Sequence, residues 1–241
     1  MVFNILNYEE LESSNTEAIK LALSGSNEGT VVVCKKQTAG RGQRNNKWES
    51  NGENLTASLI LRTKIDAANL FMLSKAFSVS IIKTLKTYNI NAVIKWPNDI
   101  YVNEKKIAGI LIEHSFVGNN LKFSIVGLGL NTKQTSFSQM NIIPTSIVLE
   151  NPLFTINNND ILSNILNNFA ELYTNLQNNF TSINAEYMNN LYRKNGFFMY
   201  KDNHKNEFEA EIIEVQNSGE LILRGKNGNL NSFLFKEIMY I

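Results

Sequence analysis

The chain has 241 residues, 43% hydrophobic, 19% charged and 10% aromatic, which is enough to bury a full core and excludes a disulfide-stapled miniprotein. Its 23 Lys and Arg nearly balance 22 Asp and Glu, so no overall field gathers nucleic acid or anionic lipid, and any anion site has to be local. The single cysteine, Cys34, excludes an intramolecular disulfide and a multi-thiol metal site; it suits a reducing compartment, which makes the cytoplasm the expected location.

No run approaches the roughly 18 apolar residues of a membrane span, and Met1–Leu6 lacks the basic region of a secretion signal. Ser13-Ser14-Asn15 offers side-chain oxygens ahead of Glu17–Leu23, good helix formers, so a helix begins near Asn15. Thr30–Cys34 is β-branched and apolar and predicts a buried strand. Gln37–Trp48 has no period and predicts a loop, after which Leu55–Leu61 resumes strand character. Leu70, Leu73, Phe77, Ile81 and Leu85 then recur at helical spacing. Ala92–Trp96 and Asp99–Val102 read as short strands around Pro97, and Ile107–Glu113 with Leu121–Leu130 as a hairpin turning at Val117–Asn120. Apolar residues from Asp160 to Phe180 keep helical spacing, and a second helical stretch runs from Ile183 to Tyr192 and ends by Gly196.

The tail changes period. Phe197–Tyr200, Phe208–Val215, Glu220–Leu223, Ser232–Phe235 and Ile238–Ile241 read as short strands between polar turns, the pattern of a small barrel, with a domain boundary near residue 195. The expected organisation is an α+β body, a mixed sheet flanked by helices over residues 1–195, followed by a β unit over 196–241.

Two segments could carry chemistry. Lys95-Trp96-Pro97-Asn98-Asp99 leads into Lys105-Lys106-Ile107-Ala108-Gly109, which sets an acid on one strand and a basic pair on the next, with bare backbone at Gly109. A carboxylate offers hard oxygen to Mg²⁺ and a lysine neutralises phosphate charge, so a magnesium and phosphate site fits; spacing alone favours a surface salt bridge on a hairpin. Gly40-Arg41-Gly42-Gln43-Arg44-Asn45-Asn46-Lys47-Trp48 is a basic glycine loop whose backbone could approach an anion, or a solvated loop without a ligand. It lacks the pattern of a nucleotide P-loop.

Together KWPNDIYVNEKKIAGILIE, QTAGRGQRNNKW and SSN, in this order and spacing, closely resemble the biotin protein ligase family, in its monofunctional type without a DNA-binding domain. The resemblance runs from about Leu11 to Asn131. It implies a catalytic domain like that of class II aminoacyl-tRNA synthetases, with a small C-terminal SH3-like β-barrel. The implied activity uses ATP and Mg²⁺ to convert biotin to biotinyl-5′-AMP, then transfers biotin to the ε-amine of one lysine on a biotin carboxyl carrier protein.

Residue by residue, the resemblance makes Lys106 the catalytic lysine, with Arg41 and Asp99 beside it and Asp99 as the ligand of Mg²⁺. It places biotin against Ser13, Ser14, Asn15, Gln37, Gly40, Arg41, Gly42, Gln43, Lys106 and Gly109, and ATP or the adenylate against Arg44, Trp48, Asn98 and Asn131. Where many members read Gly-Arg-Gly-Arg, this chain has Gln43, which lacks a charged fork, and Arg44 is expected to substitute in part. The short stretch before Ser13 predicts no DNA-binding module and no nucleic-acid partner, and the resemblance allows a homodimer. A lipoate or octanoate ligase of the same superfamily and a non-catalytic biotin sensor are the alternatives. Cys34 reads as a small buried hydrophobe, and His114 and His204 as surface residues at a strand end and a barrel turn.

Overall fold

The computed structural model describes residues 1–43, 46–49, 51–138, 142–176 and 180–241. Twelve strands and five α-helices occur among these residues, and their strands form two sheets. The larger, seven-stranded sheet has the order β1-β2-β3-β7-β6-β5-β4, built from β1 (Asn4–Leu11), β2 (Thr30–Gln37), β3 (Leu55–Leu61), β4 (Val93–Lys95), β5 (Asp99–Val102), β6 (Lys105–Val117) and β7 (Asn120–Leu130). Only β1 and β2 run parallel; every other neighbouring pair in it is antiparallel.

Period-two alternation gives the sheet two different faces. In β3, Leu55, Ala57, Leu59 and Leu61 join the main core, which they share with α2 (Phe71–Thr87) and α4 (Asn158–Asn175). Ile60 packs on the other side with Val32, Phe123, Ile125 and the alanines of α1 (Ser14–Leu23). On this second face the intervening positions Ser58, Gly127, Gly129 and Gly109 are small or polar, which leaves room above the sheet.

The second sheet has the order β11-β10-β9-β8-β12, with β8 (Phe198–Asp202), β9 (Glu207–Val215), β10 (Leu221–Gly225), β11 (Leu230–Phe233) and β12 (Ile238–Tyr240), all antiparallel. Tyr200, Ala210, Leu221 and Leu223 belong to the same buried cluster as α2 and β3, so one core runs through both sheets. Lys75 of α2, with no exposed surface, donates to Asn184 Oδ1 of α5 (Phe180–Asn189) at 2.7 Å and to the Val215 carbonyl of β9.

Four elements differ from the sequence expectation. β1 was not anticipated: it lies at the sheet edge, half exposed, and shows no clean alternation. The hairpin is longer and tighter than expected, because β6 and β7 extend to Val117 and Asn120 and turn on Gly118-Asn119, with Gly118 in the left-handed region. The helix expected over 160–180 ends at Asn175, its successor begins at Phe180, and residues 177–179 lie outside the described residues. A short helix, α3 (Ile147–Glu150), capped by Ser146, was also unanticipated. Among the described residues no helix is long and apolar enough to cross a membrane.

Candidate active site

The site's floor is a row of cross-strand partners. Thr56 pairs with Gly129, Gly129 with Gly109, Gly109 with Asp99, and Asp99 with Lys95; one rung along, Ser58 pairs with Gly127 and Gly127 with Leu111. Glycine inside a strand marks a close approach by another group, and here each glycine has one. A Cβ on Gly127 would sit 2.1 Å from Asn15 Oδ1, one on Gly129 2.3 Å from Trp48 Cε2, and one on Gly109 3.3 Å from both Lys106 Nζ and Trp48 Cζ3. Trp48 therefore lies flat over bare backbone, and the start of α1 presses onto the same strip.

Above the strip lies a cavity of about 440 Å³. Ser13, Ser14, Asn15 and Gln37 line one part, and Arg41, Gly42, Gln43 and Trp48 another. Asn98, Asp99, Lys106 and Gly109 complete the group of expected residues that meet there. Ser13 has N-cap backbone geometry, but its side chain makes no capping bond, so the plain N-cap reading does not account for it. Gln37 Oε1 accepts the Ser14 backbone N–H at 2.7 Å, and Ser58 Oγ lies 2.8 Å from Ser14 Oγ and 2.6 Å from Asn15 Oδ1.

The glycine loop folds back on itself: Trp48 N–H donates to the Gly40 carbonyl, Arg41 bridges Lys47, and Gly42 N–H donates to the Asn46 carbonyl. Gly40 lies behind the cavity wall; a Cβ there would meet the Trp48 carbonyl oxygen at 2.5 Å. Arg41 pairs with Glu113 Oε2 at 2.7 Å, and the same oxygen accepts Asn15 Nδ2 at 2.7 Å. Arg44 lies outside the described residues.

Strand alternation separates the two lysines of the basic pair. Lys105 turns toward Glu150 at 3.5 Å, whereas Lys106 Nζ stands 2.6 Å from Asp99 Oδ1. The backbone of Lys106 is held on both sides by the 143–145 segment, its N–H by the Ile143 carbonyl and its carbonyl by Thr145 N–H. The contact is a charge pair rather than an aligned hydrogen bond: buried Asp99 Oδ1 receives no directional donor among the described residues. Asn98 Nδ2 donates to the Ile110 carbonyl at 2.8 Å. Asn131 lies across Trp48 in an adjoining cavity of about 290 Å³ that also reaches Lys106. Its amide donates to the Thr145 carbonyl and accepts from Asn54 Nδ2, leaving one proton and one lone pair.

Several participants were missed. Gly127 and Gly129 could have been found as glycines inside an apolar strand, and Glu113 as the acid ending the KKIAGILIE block. Phe235, Lys236, Ile238, Met239 and Tyr240 of the C-terminal unit also line the cavity, and no local pattern announces them. Cys34 is buried and away from the cavity lining, and burial pushes its thiol up. His114 is exposed on β6, its Nδ1 2.8 Å from Ser124 Oγ, with partial desolvation lowering its pKa, and His204 occupies the exposed turn after β8.

Residues 9–131 match the family model described as biotin/lipoate A/B protein ligase family. The chain is 36% identical over 133 residues to the bifunctional ligase/repressor BirA of Bacillus subtilis (strain 168), covering 54% of this chain and 41% of that protein. It is 37% identical over 125 residues to the biotin–[acetyl-CoA-carboxylase] ligase of Paracoccus denitrificans, covering 50% of this chain and 51% of the other. The chain thus spans about half the length of the curated relatives it matches. Among solved structures, the biotin protein ligase from Aquifex aeolicus in complex with biotin and ATP shares the fold, with a TM-score of 0.81 and 22% identity over 99% of both chains. The family match encloses all three motif segments and half of the sequence, and with it the chain belongs to the biotin/lipoate A/B protein ligase family.

Proposed function

We propose that this chain is a biotin protein ligase that makes biotinyl-5′-AMP from biotin and MgATP, then passes the biotinyl group to one lysine of a biotin carboxyl carrier domain. The observation that carries the reading is the Lys106–Asp99 pair at 2.6 Å above bare Gly109, in a cavity walled by all three motif segments. The named biotin ligases among its relatives favour biotin over lipoate.

In the first step a biotin carboxylate oxygen attacks the α-phosphorus of ATP, a C–O–P linkage forms and the bond to pyrophosphate breaks. Both reactants are anionic, and Lys106 Nζ supplies positive charge where it accumulates in the transition state. Ser13, Ser14, Asn15 and Gln37 hold biotin's ureido ring, Gly109 floors its site, and Gly40, Arg41, Gly42 and Gln43 cover it. Trp48 and Arg44 meet the adenylate, while Asn98 and Asn131 read the adenine edge. In the second step the acceptor amine attacks the carbonyl of the mixed anhydride, forming an amide and releasing AMP.

The donor set fits Mg²⁺. One largely buried carboxylate, Asp99, keeps an oxygen without a directional donor, and no group of three His, Cys, Asp or Glu side chains occurs among the described residues. Mg²⁺ retains water and phosphate oxygens and needs only one or two protein carboxylates. When bound at Asp99, the ion would neutralise phosphate charge. The finer parts of the reading belong to the same proposal: a division into residues 1–195 and 196–241, an SH3-like barrel in the second part, no nucleic-acid partner, self-association as a homodimer, and action in the cytoplasm.

The test is exchange of labelled pyrophosphate into ATP. Wild type exchanges when biotin is present and not with lipoate, and Lys106→Ala loses about a hundredfold or more with unchanged melting. Near-normal exchange in that variant refutes the role of Lys106; exchange driven by lipoate refutes the choice of substrate.

A further inference from the structure

Ser58 lies in the middle of the apolar strand β3, has no exposed surface and stays outside the cavity lining, yet its hydroxyl touches two residues that do line the cavity. Its Oγ is 2.6 Å from Asn15 Oδ1 and 2.8 Å from Ser14 Oγ, and a hydroxyl has one proton to give. Which neighbour receives that proton decides what this end of the cavity presents to a ligand.

Asn15 makes the choice. Its Nδ2 donates to the Glu113 carboxylate at 2.7 Å and to the Leu111 carbonyl at 3.2 Å, two groups that only accept, and Arg41 pairs with the same Glu113 oxygen. Turning the amide over would set its oxygen against both acceptors, so Oδ1 stays toward Ser58, above the bare backbone of Gly127. An amide oxygen can only accept. Ser58 therefore donates to Asn15, and Ser14 must donate its own hydroxyl proton to Ser58 Oγ. The Ser14 backbone N–H is committed as well, to Gln37 Oε1 at 2.7 Å. Both protons of Ser14 are spent inside the protein, and what it turns to the cavity is an oxygen with lone pairs only. Ser14, Asn15 and Ser58 are all buried, where a polar group facing the wrong partner costs far more than it does in water.

We propose that Ser58 is a positioning residue that fixes Ser14 as an obligate hydrogen-bond acceptor, so that this end of the cavity selects a ligand with an N–H against one with an oxygen at the same place. The inference rests on the ligase reading above, in which that N–H belongs to the ureido ring of biotin. Its test is calorimetric titration of the full chain with biotin and with the two cyclic carbamates in which one or the other ureido N–H is replaced by oxygen. Wild type binds one of these carbamates about a hundredfold or more weakly than biotin, because two acceptors then face each other in a dry site. In Ser58→Ala the Ser14 hydroxyl has lost its acceptor and turns its proton to the ring oxygen, so the same ratio falls to about tenfold or less.

A loss of packing would weaken biotin and both carbamates together and leave the ratio where it was, so the ratio separates positioning from a structural role. Ser58→Cys keeps a side chain of similar shape with only a weak donor, gives an intermediate ratio, and covers an Ala variant that melts too low to titrate. An unchanged ratio in these variants overturns the inference. So does a wild type that binds both carbamates as tightly as biotin, a result that needs no variant. Either outcome leaves the ligase reading standing, since biotin still binds; a wild type that binds no biotin removes both.

Discussion

Replacing Gly129 by alanine tests whether the site is organised by a tryptophan lying on bare strand backbone. An alanine Cβ would meet Trp48 Cε2 at 2.3 Å and Cδ2 and Cζ2 at 2.6 Å. Carbon atoms rest at about 3.5 Å, so the ring must retreat by roughly 1.2 Å. The strand cannot give way, because Gly129 is paired on both sides, with Thr56 and with Gly109. The ring can, since Trp48 is only partly buried and belongs to the loop. Overpacking costs about 1–3 kcal/mol, and a movable partner puts Gly129→Ala near the lower end, about 1 kcal/mol. The functional loss is larger: Trp48 separates the two cavities and has Lys106 Nζ 5.8 Å from its ring centroid, and a displacement of about 1 Å costs on the order of a hundredfold in rate. Urea denaturation and single-turnover adenylate formation, measured in Gly129→Ala, Trp48→Ala and the double variant, give the coupling directly. With the indole gone, the alanine costs almost no further stability or rate. Equal losses in both backgrounds would show that Gly129 acts through something other than Trp48.

Two further outcomes follow from groups outside that contact. Burial pushes Lys75 down to about 8, with the charge of Glu214 a smaller opposing influence, so between pH 8 and 10.5 the unfolded chain holds more protons and this lysine adds stability as pH rises, by at most about 1.4 kcal/mol per unit. Cys34, raised by burial, works the other way near its usual range, so the readout is the difference between wild type and Lys75→Met in urea at roughly pH 7.5 and 9.5; a variant with the wild-type slope contradicts the assignment. Glu113→Ala removes the anchor shared by Arg41 and Asn15 and weakens biotin binding about tenfold by calorimetry with little change in melting, whereas unaltered affinity would leave Glu113 as an ordinary partly exposed charge.

Much of the fold was legible because its central elements carry clean periods. Leu70 to Leu85 falls at helical spacing and forms α2; Leu55–Leu61 is apolar throughout and forms the fully buried β3. β1 escaped because an exposed edge strand has no apolar face to repeat, and its pairing with β2 is set by tertiary contact. The site was legible where recognition needs special residues close together in sequence, as in Lys95–Gly109. It was not legible where the wall comes from residues more than a hundred positions away. Lys236 and Tyr240 reach the cavity only because Trp96, Lys75 and the shared core fasten the second sheet to the first. Spacing alone left this pair between a site and a surface bridge; alternation sends Lys106 to Asp99 at the cavity and Lys105 to Glu150.

The most direct test of the ligase reading is the intact mass of a biotin carboxyl carrier domain after incubation with this protein, MgATP and an equal mixture of biotin and lipoate. The account predicts a single biotinyl addition to one lysine, dependent on ATP and lost with Lys106→Ala. A lipoyl addition, or no addition while pyrophosphate is not released, would contradict it.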